Sequence, residues 1–164
     1  MFEWIRALSA WLQEWMSAEA GLWGLFLSAF VSATVLPGSS EVVMAALLTA
    51  YPHLAWQAFG IATLGNVLGC LLTFGMGYAG REGYERFQGV RFNVDLKSNH
   101  AQRLQRWGPP ALFLAFLPLV GDALVLAAGW LKMPLWTSLA WITAGKGARY
   151  LVLVLSLLGL LQLA

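Results

Sequence analysis

Apolar positions run through most of this chain in long stretches, and two of those stretches are interrupted in the same manner. From Gly21 to Tyr51 the residues are apolar apart from Leu36–Val43, which reads LPGSSEVV. From Pro109 to Leu131 they are apolar apart from Leu117–Leu124, which reads LPLVGDAL. Each interruption sets an acid four residues after a proline, Glu41 after Pro37 and Asp122 after Pro118, with Gly38 or Gly121 between. Proline removes a backbone donor and clashes with the turn before it, so no helix passes smoothly through either site. At helical rise the arm Leu22–Leu36 is about 22 Å long, and Glu41–Ala50, Pro109–Leu117 and Asp122–Leu131 are each about 14–15 Å. A hydrocarbon core is about 30 Å thick. The short arms reach only half-way, which predicts two re-entrant helical hairpins, 21–51 and 109–131. A single kinked spanning helix is the alternative at the first of them.

The remaining apolar stretches are longer. Residues 54–79 and 135–163 each predict a full transmembrane helix. In the first, Gly65 and Gly69 have the small-x-x-x-small spacing that lets helices approach closely, either inside the bundle or in a dimer contact. Residues 1–19 place Phe2, Trp4, Ile5, Leu8, Trp11, Leu12, Trp15 and Met16 at helical spacing, with Glu3, Arg6, Gln13 and Glu14 largely opposite. That pattern predicts an amphipathic helix lying in the membrane interface, although a helix packed on the bundle shares its periodicity. The polar stretch 80–107 is a loop whose end, Leu96–Trp107, has the spacing of a second interfacial helix.

These elements form two copies of one unit, a broken hairpin followed by a span. Pro37 and Glu41 correspond to Pro118 and Asp122 at an offset of 81, and Trp56, Thr63 and Gly65 correspond to Trp136, Thr143 and Gly145 at an offset of 80. On that register Asn66 corresponds to Lys146. A hairpin plus one span crosses the membrane once, so the second copy is inserted upside down, as in the inverted repeats of many transporters.

Composition settles the solvent. Apolar residues make up 59% and charged residues 11%, against roughly a quarter charged in soluble domains. The nine Trp suit a protein with two membrane–water interfaces. The fold class is therefore all-α integral membrane, with 1–164 as a single membrane domain. The net charge of +2 matters less than its placement: Arg81, Arg86, Arg91, Lys97, Arg103 and Arg106 crowd the loop 80–107. Basic loops stay cytoplasmic, which puts both termini outside. These basic residues border membrane segments and carry no nucleic-acid-binding motif. Cys70 excludes an internal disulfide, and the N-terminus has no secretory signal pattern. His53 and His100 lack neighbours at metal-ligand spacing, and Ser39 and Ser40 have no histidine at compatible depth. No metal, cofactor or catalytic group is expected, and the chain is not read as an enzyme.

Ionisable residues at membrane depth mark functional sites by default. Glu41 and Asp122 start the second arms of their hairpins. They either answer the positive ends of those short helices, with Ser39, Ser40 and Gly121 helping to cap, or form a carboxylate pair able to carry protons. Lys146 and Arg149, three apart, share a face of the last span. They either neutralise the two acids or, beside open helix N-termini, hold a phosphate head group. Together with Asn66 these four define a candidate substrate or proton path. A proton-coupled transporter of a small ion or drug, and a non-catalytic membrane subunit, are the competing readings.

The stretches SATVLPGSSEVV (Ser32 to Val43), ATLGNVLG (Ala62 to Gly69), RWG (Arg106 to Gly108) leading into LPLVGD (Leu117 to Asp122), AGW (Ala128 to Trp130) and GKGARY (Gly145 to Tyr150) closely resemble the DedA membrane protein family. That family is also called the SNARE-associated Golgi protein family, and the likeness is to its small bacterial YqaA-like branch. The resemblance implies two opposed re-entrant hairpins, a bacterial inner-membrane location and a flippase- or scramblase-like role. The implied lipid is undecaprenyl phosphate or a phospholipid, with coupling to protons. Typical members carry arginines flanking the proline of the second hairpin, where this chain reads FLPLVG (Phe116 to Gly121). Only Glu41 and Asp122 therefore transfer by motif, and Lys146 and Arg149 have to supply the positive charge.

Overall fold

The computed structural model describes residues 3–33, 39–89, 108–117 and 120–163. Among them every regular element is a helix. The α-helices are α1 (Glu3–Ser32), α2 (Ser39–Ala50), α3 (Ala55–Gln88), α4 (Val120–Trp130) and α5 (Leu135–Leu163). A 3-10 turn, Pro52–Leu54, joins α2 to α3, and a second 3-10 segment, Leu112–Phe116, precedes α4. Pro37, Gly38 and Pro118, and the loop residues 90–107 with their expected interfacial helix, lie outside the described residues.

Three boundaries differ from the sequence expectation. Residues 1–19 and the first hairpin arm are not separate helices: α1 runs unbroken through Gly21, about 45 Å in all. No proline stands there, and one glycine costs a helix only about 1 kcal/mol. The span expected at 54–79 continues as α3 to Gln88, so the first residues of the basic loop are helical and the chain turns at Gly89 in the left-handed conformation. The arm expected as a helix over Pro109–Leu117 is helical only at 108–111 and then tightens into the 3-10 segment. The 3-10 form rises about 2.0 Å per residue against 1.5 Å, so the few residues available reach further.

Close backbone contacts fix the packing. The α1 backbone at Phe26 and Phe30 lies against Gly65 and Gly69, so α1 and α3 run side by side in the same direction. The small-x-x-x-small pair is thus spent inside the chain. Leu47 on α2 touches Gly21, which makes α2 return alongside α1 toward the start of α3. At the other end, Gly129 of α4 meets the Phe74 backbone, and Gly77 of α3 meets the backbone at Leu126 and Trp130. Phe113 in the 3-10 segment lies against Gly145 of α5. Gly121 has no room for a side chain, because a Cβ there would sit 2.6 Å from the Ala115 carbonyl. The short arm and α4 therefore touch where the chain reverses.

Two apolar clusters result. One joins Leu25, Met44, Leu48, Ala58, Ala62 and Val154; the other joins Ala33, Phe74, Leu112, Val125, Ala128 and Ile142. Along both α3 and α5 the residues between these clusters include the buried Asn66 and Lys146. The outer surface stays apolar, with Trp56, Leu64, Trp136, Val152 and Leu160 all exposed. Among the described residues two helices, Pro52–Gln88 and Leu135–Leu160, are long and apolar enough to cross a membrane, whereas α2 and α4 are not.

Candidate functional site

The first turns of α2 and α4 both point an acid at α5. Glu41 is the third residue of α2 and Asp122 the third residue of α4. A carboxylate there faces the positive end of its own helix, which accounts for part of its stability. At α4 the Gly121 N–H donates to Leu117 O at 2.9 Å as the new turn begins.

Both acids also find a cation on α5. Lys146 Nζ donates to Asp122 Oδ1 at 2.9 Å, and Arg149 Nη2 donates to Glu41 Oε1. Lys146 and Arg149 lie one helical turn apart, so one face of α5 gathers acids from two elements that start far apart in sequence. The pairs differ in depth. Lys146 is 1% exposed and Asp122 24%, whereas Arg149 is 14% exposed and Glu41 37%. Two acids and two bases leave the layer neutral.

Uncharged groups link the pairs. Asn66 Nδ2 donates to Ala29 O at 3.0 Å and to Tyr150 Oη at 3.2 Å, and Tyr150 Oη lies 2.9 Å from Ser40 Oγ. Cys70 Sγ donates weakly to Asn66 Oδ1 at 3.9 Å and stands beside the Lys146 ammonium. The polar layer thus runs from Asp122 through Lys146, Cys70, Asn66 and Tyr150 to Ser40, next in the chain to Glu41. Glu41, Asp122, Lys146, Arg149, Asn66, Ser40 and Gly121 all meet at this level. Ser39 begins α2. Tyr150 is a member that the sequence reading missed. Its position four residues after Lys146, on the same helical face, was the available signal.

Chemically the layer can present an ammonium, a guanidinium and a hydroxyl to an anion, or exchange the acids that cover them. A second charged cluster closes the far end of α3. The buried Arg81 gives Nε to Glu85 Oε1 at 2.7 Å and Nη1 to Trp130 O at 3.1 Å, and Lys132 lies 3.8 Å from Glu85 and 3.9 Å from Glu82. Its acids and bases pair locally, and it caps α4 rather than joining the layer.

The VTT domain matches residues 36–158, which include every residue of this layer except Ala29. The chain is 36% identical over 135 residues to the inner membrane protein YqaA of Escherichia coli (strain K12), covering 82% of this chain and 89% of that protein. It is 40% identical over 139 residues to an uncharacterized protein of Haemophilus influenzae, covering 79% of this chain and 83% of that one. No solved structure matches. Taken with the apolar outer surface and the two long apolar helices, these likenesses make the chain a helical membrane protein that belongs to the VTT domain family, the DedA family.

Proposed function

We propose that this protein moves a lipid with an anionic phosphate head, such as undecaprenyl phosphate or a phospholipid, between the leaflets of the bacterial inner membrane. The observation that carries this reading is the pairing of Asp122 with Lys146 and of Glu41 with Arg149 on one face of α5. Charge at membrane depth is expensive, and a lipid head is the charged group that has to pass there.

The architecture we read behind it is an inverted repeat of two re-entrant hairpins entering from opposite leaflets. Corresponding glycines support it: Gly65 and Gly145 each receive the backbone of the first arm of their own repeat, at Phe26 and Phe113. Trp56 and Trp136, corresponding again, stand exposed at the starts of the two spans, as interface anchors do. α2 and α4, about 18 and 16 Å long, fall well short of a hydrocarbon core. With the basic loop cytoplasmic, the first hairpin opens outward and the second inward.

In the mechanism, the barrier is desolvation of the head, and the bases with the N-termini of α2 and α4 lower it. A phosphate taking Arg149 and Lys146 displaces Glu41 and Asp122. A carboxylate left without its cation in hydrocarbon is costly, so the displaced acids carry protons until they return and expel the head. The tails stay in lipid throughout.

Reconstitution into liposomes with labelled polyprenyl phosphate and labelled phospholipid, compared across pH, tests this. Lys146→Ala is expected to lose head-group binding and translocation, and Glu41→Gln to retain binding but lose translocation, each by at least about tenfold, with the protein still folded. Unchanged lipid flux in both variants would reject the mechanism. Uptake of a small solute driven by a pH gradient, without lipid movement, would favour a proton-coupled transporter instead.

A further inference from the structure

Outside the polar layer, α1 and α3 enclose a groove on the outer surface. Leu22, Trp23 and Phe26 of α1 and Leu64 and Leu68 of α3 line a space of about 510 Å³, the size of a small-ligand pocket. Trp23 is 67% exposed and Leu64 55%, so the groove opens sideways rather than into the bundle. One charged residue, Glu19, stands in that lining. Among the described residues Glu19 has no ion pair or hydrogen bond. It differs in this from Glu41, Glu82, Glu85 and Asp122, each of which lies within 4 Å of a cation.

The height of Glu19 follows from the packing. The Phe26 backbone lies against Gly65, and Leu47 near the end of α2 touches Gly21. Glu19, two turns before Phe26 on α1, is about 10 Å nearer the end of the bundle where α2 passes into α3. Trp56 stands exposed at that same end, as interface tryptophans do. The acid is therefore at head-group level, and the apolar lining runs from it toward the hydrocarbon. An empty groove leaves its walls without partner atoms, and an apolar tail supplies them. At the rim, an ammonium donates to the Glu19 carboxylate and rests against the Trp23 indole one turn on. An anionic head there meets like charge. We infer that the α1–α3 groove binds one lipid with an ammonium head, its tail between Phe26 and Leu64. This site goes beyond the translocation reading: it is separate from the polar layer and opposite in sign, since the layer offers bases and the groove an acid.

The test uses the full chain in detergent, equilibrated with equimolar phosphatidylethanolamine and phosphatidylglycerol of matched acyl chains. Native mass spectrometry counts the lipid retained. The wild type should hold one phosphatidylethanolamine per chain, preferred over phosphatidylglycerol by about fivefold or more, the scale of one contact to a charged group. Glu19→Gln should bring that ratio close to one while a lipid is still retained. Leu64→Trp, which fills the groove, should lose both lipids, and Leu68→Trp should do the same from the other end. Melting temperatures of the variants separate these effects from loss of fold. Equal retention of the two lipids by the wild type, or an unchanged preference in Glu19→Gln, would overturn the assignment. A dimer that retains no lipid and that Leu64→Trp disperses would give the groove to a second copy of the chain and reject the lipid site.

Discussion

At the residue scale, the two members of the deeper ion pair are not equally replaceable. Lys146 is 1% exposed, whereas Asp122 keeps 24% of its surface. Removing the acid strands an ammonium with almost no exposed surface and no helix end to answer it; removing the base leaves a carboxylate that still stands at a helix N-terminus. Asp122→Ala should therefore destabilise by about 3–5 kcal/mol, the range for breaking a buried pair. Lys146→Met, which also preserves most of the side-chain volume, should cost clearly less. The double variant should recover most of the loss, since a neutral, filled site replaces a charged one. Thermal unfolding of the four proteins in one detergent measures this. Equal losses in the two single variants would mean that the burial difference has no energetic weight. The four ionisable residues were legible in the sequence, because a charge in an apolar run announces itself. Their pairing was not, since Lys146 has two acids of the same sign available and only packing assigns Asp122 to it. Tyr150 was hidden for a related reason. A tyrosine in a membrane helix is ordinary, and nothing in its neighbours says that Ser40, 110 positions away, supplies its partner.

At the element scale, the end of α4 depends on α3. Lys132 adopts the left-handed conformation, with φ of 53°. Met133 N–H returns to Ala128 O and Lys132 N–H to Gly129 O, the pairing of a Schellman turn. Glycine is the usual residue there; here the lysine reaches toward Glu82 and Glu85 and lies 4.9 Å over the Tyr78 ring. Arg81 adds a cation on the Trp130 carbonyl, where the negative end of the α4 dipole favours one. The bonds to Glu85 and Trp130 leave from different nitrogens of one planar fork, a geometry that an ammonium does not reproduce. Arg81→Lys is therefore expected to cost about 1–2 kcal/mol and Arg81→Leu about 2–4 kcal/mol, read as melting shifts. A lysine variant as stable as the wild type would show that charge alone, not the fork, caps α4. The sequence reading placed Arg81, Glu82 and Glu85 in a solvated loop because a charge run normally ends a membrane helix. It lacked the tertiary fact that Trp130 lies against Gly80 and offers the helix a partner beyond that point. The break expected near Gly21 failed on local grounds, since neither a proline nor a cap follows α1 residues there.

At the scale of the whole molecule, the arrangement of elements makes one claim that no single residue tests. The end of α2 and the start of α3 lie at the level of the α1 residues around Gly21, and the end of α4 lies at the level of Gly80. Their connection through α3 puts the two ends of the bundle at opposite faces of a membrane, if both hairpins turn back at the polar layer. The motifs behind the proposed repeat, Pro37/Glu41 and Pro118/Asp122, were readable because proline and charge are both rare in apolar segments. Its consequence for packing was not, because glycines such as Gly65 and Gly145 acquire meaning only when a backbone is laid against them. Re-entrant hairpins give the chain two net crossings, with residues 90–107 cytoplasmic and both termini outside. Spanning hairpins would leave that loop inside and bring both termini inside as well. In a Cys70→Ala background, single cysteines at the N-terminus, at residue 98 and after residue 164 distinguish these cases. The native thiol is buried and is removed only to silence the background. A membrane-impermeant maleimide added to intact spheroplasts should label both termini and spare residue 98, which should react only after the membrane is opened. A terminus that is labelled only after the membrane is opened would mean that the hairpin of its half crosses, so the acids would no longer arrive from opposite leaflets and the lipid path between them would have no basis.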